Sequence, residues 1–275
     1  MPDLPPELPP EPSPPRPPDP EPAPAVAPHP PLRIVHQEDT FVAVSKPGGL
    51  LVHRDDHHPD APAALQVVRD QLGKYLYPFH RLDRATSGLL LFGFSREAAA
   101  ALQASLSAED AHKDYVALLR WPGSNRELPD TWLCDRPLHD EKDIPREART
   151  EFSLLERFRH CALVRCRIFT GRYHQIRRHA NHSGRHVLGD TTHGKGRINA
   201  AFREKYGLPR LFLHLERISM RHPSDGTHLE LFDPLPMDLA TVLEQLRAEA
   251  LTPEPAEPIA EPPADLPPAC PPSPS

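Results

Sequence analysis

One carboxylate stands out in this sequence because of the residues on either side of it. Asp83 lies between Arg81 and Arg84 in the segment 80–88 (HRLDRATSG), directly before the apolar run 89–92 (LLLF). Neighbouring cations favour the ionised form of a carboxylate. An ionised carboxylate held on a rigid element can act as a nucleophile or as a base. The alternative is a surface ion pair ahead of a strand, which is the usual meaning of a short motif.

A second feature is a strongly basic segment, residues 165–210. It contains eleven lysines and arginines, five histidines and only two acids, Asp190 and Glu204. Such a segment attracts polyanions and binds phosphates by releasing counterions. A solvated face of a charged helix is the alternative, but the glycines and the compact spacing argue against a plain charged helix. The segment is therefore our candidate surface for a nucleic acid.

Four segments resemble the RluA-type pseudouridine synthases, and they occur in the order in which that family carries them. Residues 80–88 resemble the segment with the catalytic aspartate, 171–177 (GRYHQIR) the second signature, 113–117 (KDYVA) the segment with the active-site tyrosine, and 41–50 (FVAVSKPGGL) the opening strand and turn. The resemblance runs from about Leu32 to Arg247. It implies an enzyme that isomerises uridine in RNA.

Two further segments, 189–196 (GDTTHGKG) and 202–204 (FRE), resemble the tRNA pseudouridine-65 synthases within that family. They imply a target uridine in the acceptor-stem region of a tRNA, with ribosomal RNA as the alternative substrate. Two positions depart from the pattern. Tyr173 stands where many relatives have threonine, and 183–186 (SGRH) replaces the commoner Gly-His-Pro turn. We expect both departures to lie outside the chemical centre and to bear on substrate preference.

The resemblance also implies a role for each polar residue of these segments. Asp83 would be the catalytic carboxylate, Arg177 its guanidinium partner, and Tyr115 a ring against the uracil whose hydroxyl exchanges a proton. Substrate contacts are expected from His80, Arg81, Arg84, Thr86, Arg172, His174, Gln175 and Arg178. Arg81 would fill the space left by the flipped base. A uridine in a stacked stem reaches a cleft only by base flipping.

The reaction itself needs neither a redox partner nor phosphate energy, so we expect no cofactor and no metal. The carboxylate could attack the sugar, attack the ring, or promote a glycal-type route, and the sequence does not choose among them. Attack on a sugar carbon has a precedent in the retaining glycosidases.

Three other classes of protein are compatible with parts of the sequence. Zinc ligands often cluster as do His174, His179, His182 and His186. Against a zinc enzyme, that segment is cationic and Gly184 interrupts it. A nucleoside hydrolase or glycosidase would need a second catalytic carboxylate, and none is evident beside Asp83. The joint presence of Asp83, Tyr115 and Arg177 argues against a non-catalytic RNA-binding protein.

Composition separates the two ends of the chain from its middle. Of 38 prolines, 16 lie in residues 1–31 and 10 in residues 252–275. Large apolar side chains are nearly absent there, so burial cannot offset chain entropy. We predict disordered tails at 1–31 and 251–275 around one catalytic domain at 32–250. The tails carry a net charge of −8 and the whole chain −6, which leaves +2 for the middle.

Two further features of the sequence indicate where the protein works. No stretch is apolar over a length that could span a bilayer, and the four cysteines form no C-x-x-C pair. Together with the resemblance, which implies RNA as the partner, these features lead us to expect a cytoplasmic monomer that binds RNA, and neither DNA nor a membrane.

Apolar periodicity predicts the elements that must position the polar residues. Strands are predicted at 33–36, 41–44, 88–94, 113–119, 150–158, 161–169, 211–220 and 228–232, and helices at 61–73, 95–106, 173–183 and 239–246. Hairpins dominate, and strands do not alternate regularly with helices. This pattern predicts the α+β class, with a mixed, mostly antiparallel sheet at its core. The resemblance implies flanking helices and a central catalytic cleft.

Overall fold

The computed structural model describes residues 29–54, 58–121 and 130–251. Apart from residues 29–31 and 251, the two predicted tails lie outside these ranges. The strands are β1 (Arg33–Gln37), β2 (Phe41–Lys46), β3 (Tyr77–Pro78), β4 (Ser87–Gly93), β5 (His112–Arg120), β6 (Thr131–Cys134), β7 (Leu138–His139), β8 (Pro145–Arg146), β9 (Thr150–Arg157), β10 (Cys161–Ile168), β11 (Leu213–Arg221) and β12 (His228–Phe232). The helices are α1 (Ala64–Leu72), α2 (Arg96–Ser107), α3 (Gln175–His182), α4 (Gly196–Tyr206) and α5 (Met237–Leu251).

A ten-stranded sheet forms the centre of the described structure. Its strand order is β1-β2-β4-β11-β5-β10-β9-β6, with β12 paired to β11 and β3 paired to β4. Pairing within this sheet is antiparallel between all described strands except β4 and β11, which run parallel. The predicted α+β class and the mixed, mostly antiparallel sheet are confirmed. The strands β7 and β8 form a separate two-stranded hairpin.

Helices cover both faces of the sheet, and the alternation along β5 shows why. Tyr115, Ala117 and Leu119 point into a large apolar cluster that also holds residues of α1, α2 and α3. Val116 and Leu118 point the other way, into a second cluster with residues of α4 and α5. Because successive side chains of a strand face opposite sides, one strand supplies two cores. We call these sides the α2 face and the α5 face.

Helices α2 and α4 differ in whether the sequence signals where the helix begins. Ser95 caps α2, accepting a hydrogen bond from the amide of Ala98 at 3.0 Å, as its position before an alanine-rich run predicts. Helix α4 was not predicted. It begins at Gly196 without a side-chain cap and without an acid in its first turn, so it lacks the usual signals of a helix start.

None of the helices in the described ranges is long and apolar enough to cross a membrane.

Gly88 is needed where β4 meets β11. Its φ is +122°, and a Cβ at this position would collide with the backbone of Leu215. The parallel pairing of β4 with β11 consists of Ser87 with His214 and Gly88 with Leu215. The close approach therefore joins the two central strands directly after the loop that carries Asp83.

Candidate active site

A cleft of about 600 Å³ opens on the α2 face, where three of the predicted segments converge. The loop before β4 contributes residues 79–83 and Thr86, β5 contributes Lys113 and Tyr115, and residues 171–177 line the cleft at the start of α3. The fold thus brings together residues as far apart in the chain as Asp83 and Arg177, which are separated by 94 positions.

Asp83 and Arg177 contact each other inside this cleft. The guanidinium Nη1 donates a hydrogen bond to Asp83 Oδ2 at 3.2 Å. The side chain of Arg177 is 5% exposed, whereas that of Asp83 is 20% exposed. No described residue donates a hydrogen bond to Asp83 Oδ1. The carboxylate is therefore anchored at one oxygen and open to the cleft at the other.

A second carboxylate, Asp190, holds the far side of the same guanidinium. Arg177 Nε and Nη2 donate to Asp190 Oδ2 and Oδ1, both at 2.7 Å. Asp190 Oδ1 also accepts the amides of Thr192 and His193 at 2.9 and 3.0 Å. Burial opposes ionisation of Asp190, but these hydrogen bonds outweigh it and lower its pKa to about 2. A bidentate pair of this kind fixes the plane of the guanidinium, so Asp190 aims Arg177 at Asp83.

Sequence reasoning did not assign Asp190 to the site. The signal that was available is its rarity, since it is one of only two acids in the basic segment 165–210. Its turn is also held in place by Asn199 of α4. The Asn199 amide donates to the Asp190 carbonyl at 2.8 Å, and its Oδ1 accepts the amide of Gly189 at 3.0 Å. The unpredicted helix α4 thus supports the unpredicted carboxylate.

His174 lies on the other side of Asp83, with its Nε2 3.7 Å from Asp83 Oδ2. Its Nδ1 is 3.0 Å from His193 Nε2, and its backbone has the left-handed φ of 52°. Burial lowers the pKa of His174 to about 4, against the attraction of Asp83. The ring is therefore neutral at neutral pH. The exposed ring of Tyr173 stacks on it and lines the cleft, so this departure from the family pattern lies in the cleft wall.

Tyr115 forms part of the cleft wall from β5, and its side chain is buried. Burial, followed by the charge of Asp83, raises the pKa of the Tyr115 phenol above its ordinary value. The hydroxyl consequently keeps its proton at neutral pH and offers a donor rather than a phenolate.

Of the eight predicted substrate contacts, six line the cleft: His80, Arg81, Thr86, Arg172, His174 and Gln175. Arg81 is exposed. The buried hydroxyl of Thr86 has no hydrogen-bond partner in the described part of the chain. Arg172 Nε donates to the carbonyl of Glu147 at 2.9 Å.

Two of those six residues also support the walls of the cleft. His80 Nε2 accepts the amide of Leu91 at 2.9 Å, midway along β4 between its pairings with β11 and with β3. Burial, and then the nearby Lys113, lowers the pKa of His80 to about 3, so the neutral ring can accept this bond. Gln175 is buried and donates to Thr150 Oγ1 at 2.9 Å.

The remaining two predicted contacts lie outside the lining of the cleft. Arg84 Nε donates to the carbonyl of Gly49 at 3.0 Å, and Arg178 Nη1 donates to the carbonyl of His139 at 3.0 Å. Both side chains therefore tie backbone segments together, and their contact with a substrate stays a prediction.

Lys46 is a further residue that supports the site. It is fully buried, and its Nζ donates to the carbonyls of Pro47, Leu50 and Arg84 at 2.9, 2.8 and 3.3 Å. Burial, with Arg210 nearby and Asp83 opposing, lowers its pKa to about 7. Lys46 ties the opening turn to the loop that carries Asp83.

The site geometry bears on two of the alternative classes. Both ring nitrogens of His179 are engaged, by Thr150 and by the carbonyl of Arg136. No group of three or more potential metal ligands exists within the described ranges. A second carboxylate does lie near Asp83, but Asp190 is sealed from solvent and bonded at both oxygens. It is therefore unsuited to the acid or base role that a glycosidase pair requires.

Comparison with known proteins places these residues in a family context. A family model described as RNA pseudouridylate synthase matches residues 40–182. The tRNA pseudouridine synthase C of Vibrio vulnificus is 36% identical over 212 residues, covering 70% of this chain and 86% of that protein. The protein of the same name from Salmonella typhi is 34% identical over 247 residues, covering 81% and 93%.

Two further relatives widen the comparison. The ribosomal large subunit pseudouridine synthase D of Xanthomonas campestris pv. campestris is 32% identical over 234 residues, covering 80% of this chain and 71% of that protein. Among solved structures, human RNA pseudouridylate synthase domain containing 4 superposes with a TM-score of 0.64 at 22% identity, covering 78% of this chain and 93% of that one. This last likeness shows a shared fold.

Proposed function

The chain belongs to the RNA pseudouridylate synthase family, and we propose that it isomerises one uridine of a tRNA with Asp83 as the catalytic carboxylate. One observation carries the assignment of Asp83. Its carboxylate lies in the cleft, anchored by Arg177 at one oxygen and open at the other. Such a group is held in one geometry yet can reach a bound nucleotide, as catalysis requires.

The reaction is an isomerisation in which the atoms balance without a co-reactant. The bond between N1 of uracil and C1′ of ribose breaks, the base turns, and a bond forms between C5 and C1′. The proton on C5 is lost, and N1 gains one. An ionised carboxylate can serve as a nucleophile at the sugar or at the ring, or as a base in a glycal-type route.

Arg177 serves Asp83 as a fixed counter-charge. Since two of its nitrogens are bonded to Asp190, the guanidinium cannot swing away to follow a substrate phosphate. Its hydrogen bond holds the Asp83 carboxylate in one orientation while the base turns. A phosphate contact for Arg177 is disfavoured because its side chain is only 5% exposed.

Tyr115 and Arg81 would complete the pocket for a flipped uridine. The buried ring of Tyr115 offers a flat apolar surface for the uracil, and its protonated hydroxyl offers one donor for proton exchange at the base. Arg81 is exposed at the cleft, where a cationic side chain could occupy the gap that the flipped base leaves in the RNA. Flipping costs a few kcal/mol of stacking, which contacts of this kind offset.

Support for tRNA as the substrate comes from relatives named tRNA pseudouridine synthase C. The relative named for the ribosomal large subunit makes ribosomal RNA the second candidate. We further propose that the protein acts as a cytoplasmic monomer and binds no DNA. Mapping pseudouridine in total RNA from cells with and without this gene identifies the substrate. A site lost from ribosomal RNA, with every tRNA unchanged, would contradict the tRNA assignment.

Replacing Asp83 with asparagine tests the chemical role directly. We expect Asp83→Asn to lower product formation on the mapped RNA at least roughly a thousandfold, while affinity for that RNA is largely unchanged because no positive charge is lost. Single-turnover assays and filter binding measure the two effects. Asp225→Asn is the matched control, since Asp225 is 60% exposed in a turn outside the cleft lining. A fully active Asp83→Asn variant would refute the proposal.

A further inference from the structure

Tyr173 is an aromatic residue in an unusual setting for a cleft wall. It lines the cleft, yet 59% of its surface is exposed. Its ring stacks on that of His174, with centroids 3.7 Å apart and planes inclined by 21°. Since one face of the tyrosine ring is covered by the histidine, the exposed area lies on the opposite face and along the edge.

The histidine beneath Tyr173 is fixed from three sides. Its backbone has the left-handed conformation at the start of α3, and its Nδ1 is 3.0 Å from His193 Nε2, with the two rings nearly perpendicular at 85°. Its Nε2 lies 3.7 Å from Asp83 Oδ2. Tyr173 is therefore the outer layer of a two-ring stack whose inner layer contacts the catalytic carboxylate.

The residue before this stack adds a positive charge. Arg172 is exposed at the cleft, and it is tied through Nε to the carbonyl of Glu147. The terminal nitrogens of Arg172 donate no hydrogen bond to any residue that the structure describes. A flat open ring beside an available guanidinium matches one nucleotide, whose base stacks and whose phosphate pairs with a cation.

We propose that Tyr173 is the stacking platform for a nucleobase adjacent to the target uridine. This inference rests on the proposed function, because flipping the uridine removes a stacking partner from its neighbours in the strand. Tyr173 restores that partner at the mouth of the same cleft. Stacking on an aromatic ring is tolerant of base identity. The platform would therefore stabilise the RNA conformation in which the target uridine is flipped out, whichever base lies next to it.

A protein–RNA double-mutant cycle tests the platform. The nucleotides immediately 5′ and 3′ of the mapped uridine are replaced, one at a time, by abasic residues in an unmodified transcript. We expect one of these changes to lower kcat/KM of the wild-type enzyme by about 5- to 150-fold. Tyr173→Ala should cause a similar loss on the intact transcript and little further loss on the abasic one. Tyr173→Phe should retain most activity, because the ring is preserved.

Tyr75→Ala is the matched control, because Tyr75 is also exposed, at 69%, and also packs on a neighbouring ring, that of Tyr77. It lies outside the cleft lining, so activity should be unchanged. Additive losses from Tyr173→Ala and the abasic change would overturn the inference, as would full activity of Tyr173→Ala. Absence of pseudouridine formation by the wild-type enzyme on any RNA would instead refute the proposed function, and this inference with it.

Discussion

At the scale of single residues, the site depends on one guanidinium shared by two carboxylates. Arg177 is buried, and an arginine cannot lose its charge to escape the cost of burial. Asp190 supplies a compensating charge that is itself stabilised by two backbone amides. Because Asp190 neutralises Arg177, Asp83 need not be buried to do so. This division leaves Asp83 partly exposed and available to a substrate.

We therefore expect Asp190→Asn to damage both stability and activity. Removing one partner of a buried ion pair costs about 3–5 kcal/mol, and here Arg177 would also be freed to turn fully toward Asp83. Denaturant unfolding should show a loss of about 3 kcal/mol, and single-turnover assays should show slower product formation. Glu204→Gln, which removes the other acid of the basic segment from an exposed position, should change neither.

Asp190→Asn should also change how the free energy of unfolding depends on pH under acidic conditions. The folded-state pKa of Asp190 is about 2, below the unfolded value of about 3.9. The carboxylate therefore stabilises the fold fully above pH 4, and this contribution of about 2–3 kcal/mol is lost as pH falls through 2. The difference in unfolding free energy between wild type and Asp190→Asn should shrink between pH 5 and pH 2. A difference independent of pH would show that Asp190 acts through packing alone.

At the scale of elements, the junction of β4 and β11 fixes the position of the Asp83 loop. Gly88→Ala should destabilise the protein by about 2–3 kcal/mol or more, because a side chain there combines an unfavourable φ with a backbone collision. Gly73→Ala is the matched control. Its φ is +62°, but no atom lies within 4 Å of the added Cβ, so it should cost only about 1 kcal/mol. Thermal unfolding of both variants measures the difference, and equal losses would refute the collision argument.

The elements also show how far the sequence can predict this site. Asp83, Tyr115 and Arg177 were recognisable because each lies in a local motif, and the short strands and helices around them follow apolar periodicity. The contact of β4 with β11 joins positions 127 apart, and no local pattern encodes it. Helix α4 lacks start signals, and Asp190 acquires its role from a turn that α4 holds. These features exist only after the chain has folded, so local reading missed them.

At the scale of the whole molecule, charge is segregated along the chain. The proline-rich ends carry a net −8, whereas the middle carries +2 with its lysines and arginines concentrated in 165–210. Phosphate binding depends on that local density and not on the net charge of the chain. The acidic sequence pI of about 6.3 is thus compatible with an RNA-binding surface beside the cleft.

Deletion of residues 1–31 tests whether the N-terminal tail takes part. We expect kcat on the mapped RNA to be unchanged, because the described residues that line the cleft lie within 79–213, and the supporting residues Lys46 and Asn199 also lie outside the tail. The tail carries five acids and one base, so its removal should raise RNA affinity slightly at low salt. At 150 mM salt, where the screening length is about 8 Å, affinity should match that of the full chain. Salt titrations of both proteins with one transcript provide the measurement, and a large loss of affinity or turnover on deletion would mean that the tail helps to hold the RNA.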